Sequence, residues 1–355
     1  MDISCLATLA PEEGGDPRQW GGLPDRIYPS QPQNLPYAPI KIVIFAILSV
    51  HRLTHQQYLK KMKKIDLNDY VKSGAGANGD SYFSLRDENE MVKLYNSDYP
   101  TGPIYDELEV AQKVYREGIP SPEPGVLVTD GERIGIQFRR IVGKRSFSRM
   151  LADEPERVAE FAGEFARCCK ELHSHECTEG AFPDAKQQFL SLLEAVEQPA
   201  SIKRRMEEFI RCVPDSNTAL HGDMHIGNLI STLPAGAPLS TPHKVMFIDL
   251  GYFSHGFPLF DFGMSRAICI SSDEEFRQHD FHVDGKMTAE FWKHLVREYF
   301  FSSDRLAEKY FGPGQTVESV TGALVPYECC KYLLVQYNLG FLPEHYQKVL
   351  NSTFG

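Results

Sequence analysis

Two short strand-like runs near the middle of the chain constrain its fold more than any other feature. They cover residues 229–232 and 244–248, with a Pro-rich loop at 233–243 between them. Each is too short for a helix; the first reads as a short strand and the second as a buried one. Paired antiparallel, they set the start of one beside the end of the other. Asn228 precedes the first run and Asp249 follows the second. Two oxygen-bearing side chains, distant in sequence, are thereby expected at one point. Immediately upstream, Leu220-His221-Gly222-Asp223-Met224-His225-Ile226-Gly227-Asn228 places another carboxylate, Asp223, five residues before Asn228.

The pattern Asp-apolar-Gly occurs twice here, as Asp249-Leu250-Gly251 and Asp261-Phe262-Gly263. Only Asp249 ends a strand of the expected hairpin, so Asp249 is the one placed to face Asn228. Asp261 follows the turn Gly256-Phe257-Pro258 and precedes the apolar stretch 264–270. It reads as a residue at a helix start, where a carboxylate satisfies backbone N–H groups. Its expected task is to brace the loop that carries Asp223.

The N-terminal half supplies a Gly-rich segment, Gly74-Ala75-Gly76-Ala77-Asn78-Gly79. Alone, Gly-x-Gly-x-x-Gly is shared by dinucleotide folds and kinases, or is an ordinary turn. A dinucleotide site needs a helix after the glycines. Here residues 81–85 and 91–95 read as strands around the polar turn 86–89, which matches the kinase arrangement. Gly74, Gly76 and Gly79 are the candidates for close backbone approach to phosphates. Lys93 stands alone in the apolar run Met91-Val92-Lys93-Leu94-Tyr95. In a kinase site such an amine contacts the nucleotide phosphates and pairs with a glutamate. Glu107 opens a pattern of helical spacing that ends at Gly118 and is the leading partner, with Glu109 as the alternative. Strands at 125–129 and 134–140 lead to a linker between lobes, with Phe138, Arg139 and Ile141 as candidates to border the nucleotide base. Amphipathic helices are expected at 155–176 and 185–212.

His-Gly-Asp-x-His-x-x-Asn, then Ile-Asp, then Gly-x-Pro-x-x-Asp-x-Gly resembles the aminoglycoside phosphotransferase family, which includes choline kinase-like and other small-molecule kinases. The resemblance runs from about residue 62 to at least 270. It implies an α+β, bilobal, protein kinase-like fold, with a small β-rich N-lobe and a larger, mainly helical C-lobe. It implies a nucleotide-binding N-lobe at 62–143 and a catalytic, substrate-binding C-lobe at 144–355. It further implies transfer of the γ-phosphoryl group of ATP, with Mg2+, to a hydroxyl of a small molecule: an aminoglycoside, an amino alcohol or a sugar-like compound. Position by position, Asp223 is then the catalytic aspartate, Asn228 and Asp249 the metal ligands, and Lys93 the phosphate contact. His221 and His225 match the motif and read as satisfied structural histidines, since Asp223 already serves as base. No Ala-Pro-Glu follows Asp249, which opposes a protein kinase. The joint presence of Lys93, Asp223, Asn228 and Asp249 opposes a non-catalytic nucleotide-binding module.

Composition sets the outer bounds. The chain has 355 residues, a net charge of −11 and no long basic run, which argues against a nucleic-acid binder. Its eight cysteines form no disulfide framework, and reduced thiols fit a cytoplasmic protein. His173, His175 and Cys177 lack a second ligand pair at zinc-finger spacing and read as structural. Residues 1–61 read as a disordered extension dispensable for activity. The apolar run at 40–50 is too short for stable membrane insertion, with a weak anchor as the alternative. Toward the C-terminus, Asp273-Glu274-Glu275 and the aromatics Trp292, Tyr299, Tyr327, Tyr332 and Tyr337 would suit a cationic amine. The plainer reading of the same residues is a solvated acidic face and a helical core.

Overall fold

The computed structural model describes residues 62–76 and 78–355. The expected extension at 1–61 and its apolar run lie outside the described residues. Among the described residues, no helix is long and apolar enough to cross a membrane.

The N-terminal lobe is built on a six-stranded sheet. Its strands are β1 (Lys63–Lys64), β2 (Tyr70–Gly76), β3 (Gly79–Ser84), β4 (Glu90–Tyr95), β5 (Pro124–Thr129) and β6 (Ile134–Arg139), in the order β1-β5-β6-β4-β3-β2. Helix α1 (Thr101–Arg116) connects β4 to β5. Alternation along β4 decides what meets α1. Val92 and Leu94 pack with Val128 on one face of the sheet. Tyr95 packs on the other face, with Ile104 of α1. Lys93 shares the Tyr95 face by the period of two, and Glu107 lies one helical turn beyond Ile104. The helical spacing seen from Glu107 onward belongs to a helix that starts earlier, at Thr101. Gly102 and Pro103 hide its first turn in the sequence, yet proline costs little there because a first-turn N–H has no partner to lose. Gly118, at φ +79°, closes the helix as expected.

The C-terminal lobe is mainly helical. In chain order it contains β7 (Arg145–Ser146), α2 (Phe147–Asp153), α3 (Val158–His173), α4 (Ala185–Ala195), α5 (Ala200–Cys212), β8 (Ala219–Leu220), β9 (Leu229–Ser231), β10 (Val245–Phe247) and β11 (Ser254–His255). The helices α6 (Asp261–Arg266), α7 (Gly285–Phe300), α8 (Val325–Leu339) and α9 (Glu344–Phe354) follow, with shorter helical segments between them. The amphipathic stretch expected at 185–212 is two helices. Pro199 disfavours helical geometry at Gln198, and the chain breaks between α4 and α5. The segment expected at 155–176 begins as a 3-10 turn at Pro155–Arg157 before α3. One large apolar core spans this lobe, with Phe165 of α3 packed edge-on against Phe291 of α7 at 5.4 Å. Helices α6 and α8 approach closely: a Cβ at Gly263 would meet the Tyr327 carbonyl oxygen at 2.5 Å.

Candidate active site

The loop between β8 and β9 carries Asp223 and Asn228, and it is held from beneath. Asp261 Oδ2 accepts from the His221 backbone N–H and Oδ1 from that of Gly222, both at 2.8 Å. His173 Nε2 lies 3.1 Å from Asp261 Oδ2 and its Nδ1 lies 2.7 Å from Tyr299 Oη. Asp261 is the first residue of α6 but caps no N–H of that helix; its carboxylate is spent on the loop, as a brace. Only 1% of it is exposed. Burial alone would raise its carboxyl pKa, but the His173 hydrogen bond and nearby cationic groups hold it below the ordinary value.

His221 is engaged at both ring nitrogens. Nε2 donates to the Ile248 carbonyl at 2.9 Å, and Nδ1 accepts from the Asp223 N–H at 3.2 Å. Burial lowers the His221 pKa, so the imidazole is neutral and ties the loop to the end of β10. Gly222 has φ +79°, and a Cβ there would lie 1.9 Å from the Tyr252 carbonyl oxygen. Only glycine satisfies both constraints.

Asn228 Nδ2 donates to the backbone carbonyl of Asp223 at 2.9 Å and to its carboxylate at 3.1 Å. The amide nitrogen is thereby used, and the amide oxygen remains as the group for a hard cation. His225 Nδ1 accepts from the Gly227 N–H at 3.0 Å, so the ring proton sits on Nε2, 3.6 Å from Asp223 Oδ2. Burial opposes ionisation of Asp223, yet the neighbouring His225, His221 and Lys331 bring its pKa down to about 2.

Strands β9 and β10 pair antiparallel, with Phe247 opposite Leu229 and the Ile248 N–H bonded to the Asn228 carbonyl at 3.0 Å. This is the hairpin read from the sequence, and it brings Asp249 beside Asn228. Asp249 takes the left-handed conformation (φ 57°, ψ 60°), which aspartate tolerates better than most residues. Its side chain is 49% exposed. Lys93 Nζ lies 2.5 Å from Asp249 Oδ1 and 3.0 Å from Glu107 Oε1. Burial works against the Lys93 charge, but the two carboxylates overcome it and raise the pKa well above the ordinary lysine value. Lys93 in turn holds the Asp249 pKa down. The choice left open in the sequence resolves toward Glu107, because Glu109 pairs instead with Lys113 at 2.9 Å.

Two clefts meet at this cluster. The first, of about 220 Å³, lies between the lobes and is bordered by Gly74, Gly79, Lys93, Phe138, Ile141 and Asp249. Gly76 pairs with Gly79 at the tip of the β2–β3 hairpin. Gly79 is required by the sheet itself, since a Cβ would lie 2.2 Å from the Leu94 carbonyl oxygen. Arg139 departs from expectation. Its N–H is taken by the Glu123 carbonyl at 2.8 Å, and its largely exposed guanidinium faces Glu123 at 3.5 Å. Strand alternation carries it away from the cleft that Phe138 faces. Lys144, given no role in the sequence reading, borders this cleft, where burial pushes its ammonium down against the pull of Asp249.

The second cleft, of about 520 Å³, opens over Asp223 between the β8–β9 loop, α4 and α8. Sequence reasoning missed Lys331, a buried lysine at its floor. Its Nζ donates to the Gly222 carbonyl at 2.5 Å and lies 4.9 Å from the centre of the Phe189 ring. The signal was available: one lysine in the apolar run Tyr332-Leu333-Leu334 and Cys329-Cys330 around it, as with Lys93 in β4. The proposed cation-binding group does not assemble. Trp292, Tyr299, Tyr327 and Tyr332 are core residues, and of the named aromatics Tyr337 alone borders the cleft. Nor do His173, His175 and Cys177 converge: His175 bonds Glu117 at 3.1 Å, and Cys177 is buried.

A family model described as the phosphotransferase enzyme family matches residues 72–294. Among solved structures, the aminoglycoside phosphotransferase APH(3'')-Id from Streptomyces rimosus is 16% identical, covering 73% of this chain and 92% of its own, at a TM-score of 0.44. ADP-bound aminoglycoside phosphotransferase APH(2'')-Ib is also 16% identical, covering 85% of this chain and 98% of its own, at a TM-score of 0.46. A glucosamine kinase is 14% identical, covering 80% of this chain and 78% of its own, at a TM-score of 0.38. No curated protein matches the chain.

Proposed function

Because the chain belongs to the phosphotransferase enzyme family, we propose that it moves the γ-phosphoryl group of ATP to a hydroxyl of a small molecule. One observation carries the reading: Asp223, Asn228, Asp249 and the Lys93–Glu107 pair meet where the interlobe cleft joins the cleft over Asp223. The first cleft is assigned to the nucleotide, with its base toward Phe138 and Ile141 and its phosphates toward Lys93. The second is assigned to the acceptor.

The donor set fits Mg2+. An amide oxygen from Asn228 and a half-exposed carboxylate from Asp249 are two hard ligands, and phosphate and water oxygens complete such a site. The ion supplies charge neutralisation on the transferring phosphoryl group. The chain's own residues do the rest. Lys93, fixed by Glu107, places an ammonium at the phosphate end. Asp223 accepts a hydrogen bond from the acceptor hydroxyl and aims its oxygen at phosphorus. The new O–P bond forms as the bridging O–P bond breaks, ADP leaves, and the hydroxyl proton passes to Asp223. With a pKa near 2, Asp223 is a weak base. That suits a loose transition state, in which orientation matters more than early proton removal.

The test is ATP-dependent phosphorylation of a panel of alcohols by wild type and Asp223→Asn. The variant is expected to lose roughly 10²–10⁴-fold in kcat while its nucleotide affinity stays within about threefold. Equal activity in both proteins would remove Asp223 from the mechanism.

A further inference from the structure

The interlobe cleft is the nucleotide site in the reading above, on which this inference rests. Among the described residues, the charged side chains that border it are Lys93, Glu107, Lys144 and Asp249. The two signs are equal in number but not equally used. Lys93 takes both carboxylates, with Glu107 Oε1 at 3.0 Å and Asp249 Oδ1 at 2.5 Å. Lys144 has no hydrogen bond or ion pair among the described residues. It senses the Asp249 charge without pairing with it, and burial outweighs that attraction.

Lys144 is one of four basic residues between positions 139 and 145. The other three are committed elsewhere. Arg139 faces Glu123 at 3.5 Å, and Arg140 lies over the Phe83 ring at 3.9 Å. Arg145 bonds Glu154 at 2.7 Å and the Leu233 carbonyl at 3.2 Å. The course of the backbone separates Lys144 from Arg145. Gly143, at φ +71°, turns the chain out of the linker, and Arg145 then enters β7 opposite Ser231 of β9. Alternation at the entry to a strand sends neighbouring side chains to opposite sides. Arg145 goes toward Glu154, and Lys144 goes to the cleft.

An unpaired lysine on an open surface is ordinary. Lys144 is instead half-buried, at the border of a cleft that it shares with Ile141 and Asp249. An ammonium that gives up part of its water is stabilised by an anion brought to it. The cleft's own carboxylates are already engaged by Lys93. A phosphate chain lying between Ile141, on the base side, and Asp249, at the phosphate end, supplies that anion. We propose that Lys144 binds the phosphate chain of the nucleotide, as the cation of this cleft whose charge is not already offset within the protein. Lys93 is held by Asp249 unless something else takes that carboxylate. Lys144 requires no exchange of partners, so its effect extends to nucleotide without Mg2+.

The experiment is calorimetry on the full chain without Mg2+, comparing ADP with adenosine for wild type, Lys144→Met and Lys144→Gln. Lys144→Met is expected to weaken ADP binding roughly tenfold or more, the scale of a hydrogen bond to a charged group, and to leave adenosine within about twofold. Lys144→Gln keeps a donor but no charge and should lose nearly as much ADP affinity. Melting temperatures should not fall in either variant, since Lys144 has no partner in the protein to lose. Unchanged ADP affinity in either folded variant overturns the inference. So does an equal loss for adenosine and ADP, which would place the lysine against the nucleoside or in the fold. Wild type that binds neither ADP nor adenosine fails the nucleotide reading itself, whereas ADP binding that Lys144 does not affect fails this inference alone.

Discussion

Replacing Asp261 by Asn tests the assignment of the two Asp-apolar-Gly motifs most directly. The native carboxylate accepts three hydrogen bonds while 1% exposed: from the N–H groups of His221 and Gly222, and from His173 Nε2. An asparagine retains one acceptor atom, which can keep the Gly222 bond. Its amide nitrogen can be accommodated by His173 if that ring shifts its proton to Nδ1 and donates to Tyr299 Oη. The His221 N–H then faces a second donor and is orphaned. One charge-assisted bond lost and one buried donor left unpaired amount to about 3 kcal/mol, or roughly a hundredfold in the folding equilibrium. Asp249→Asn should behave differently. That side chain is half-exposed, and Lys93 keeps Glu107 as a partner, so stability should change by less than about 1 kcal/mol. Urea unfolding followed by circular dichroism gives the stabilities, and calorimetric titration of nucleotide with and without Mg2+ gives the binding. Asp261→Asn should unfold earlier, and Asp249→Asn should lose the Mg2+-dependent part of nucleotide affinity. If Asp261→Asn folds as stably as wild type and loses the Mg2+ effect while Asp249→Asn retains it, the assignment is reversed and the reasoning fails.

Three further outcomes follow from the same geometry. Gly222→Ala forces a β-carbon against the Tyr252 carbonyl at φ +79°, so at least about 2 kcal/mol of stability and most activity should be lost, read by thermal melting and turnover. The folded-state pKa of His221 is depressed by burial, so its contribution to stability is present above the unfolded value of about 6.5 and is lost as pH falls toward the folded value. His221→Gln should flatten that part of a melting-temperature profile while leaving the later loss below about pH 4, where the depressed Asp261 begins to protonate in the unfolded chain. Lys93→Met removes the phosphate-end charge and should weaken nucleotide binding roughly tenfold or more by calorimetry; unchanged affinity would remove Lys93 from the nucleotide site.

What could be read in advance was whatever depends on near neighbours in sequence. The β9–β10 hairpin follows from two short strand-like runs and one loop, and it places Asp249 beside Asn228. The period of two in β4 and the helical spacing after Glu107 lead to the Lys93–Glu107 contact. Where local signals conflicted, the reading slipped. Gly102 and Pro103 disguised the first turn of α1, and the amphipathic period either side of Pro199 disguised a break. The C-terminal aromatics were harder. Trp292 and Tyr337 both suit an aromatic wall, and only packing, with Trp292 buried and Tyr337 at the cleft, separates them.

The residues that hold the loop divide along the same line. Lys331 reaches the Gly222 carbonyl across 109 positions, a contact that no local pattern encodes. Asp261 contacts Gly222 across 39 positions; a turn followed by an apolar stretch marked its helix start, but the carboxylate caps no N–H there and turns to the loop, a partner the local pattern does not specify. The two similar tripeptides then differ by environment rather than by composition. Asp261 lies under the loop with both oxygens committed to donors, so binding a cation there would break the bonds that shape the site. Asp249 stands at a strand end in a left-handed turn, half-exposed, with a lysine keeping it ionised. A carboxylate serves a cation where it remains charged and accessible, and it serves the backbone where it is buried and saturated. That distinction is why the proposed Mg2+ site draws on Asp249 although Asp261 carries the literal Asp-Phe-Gly.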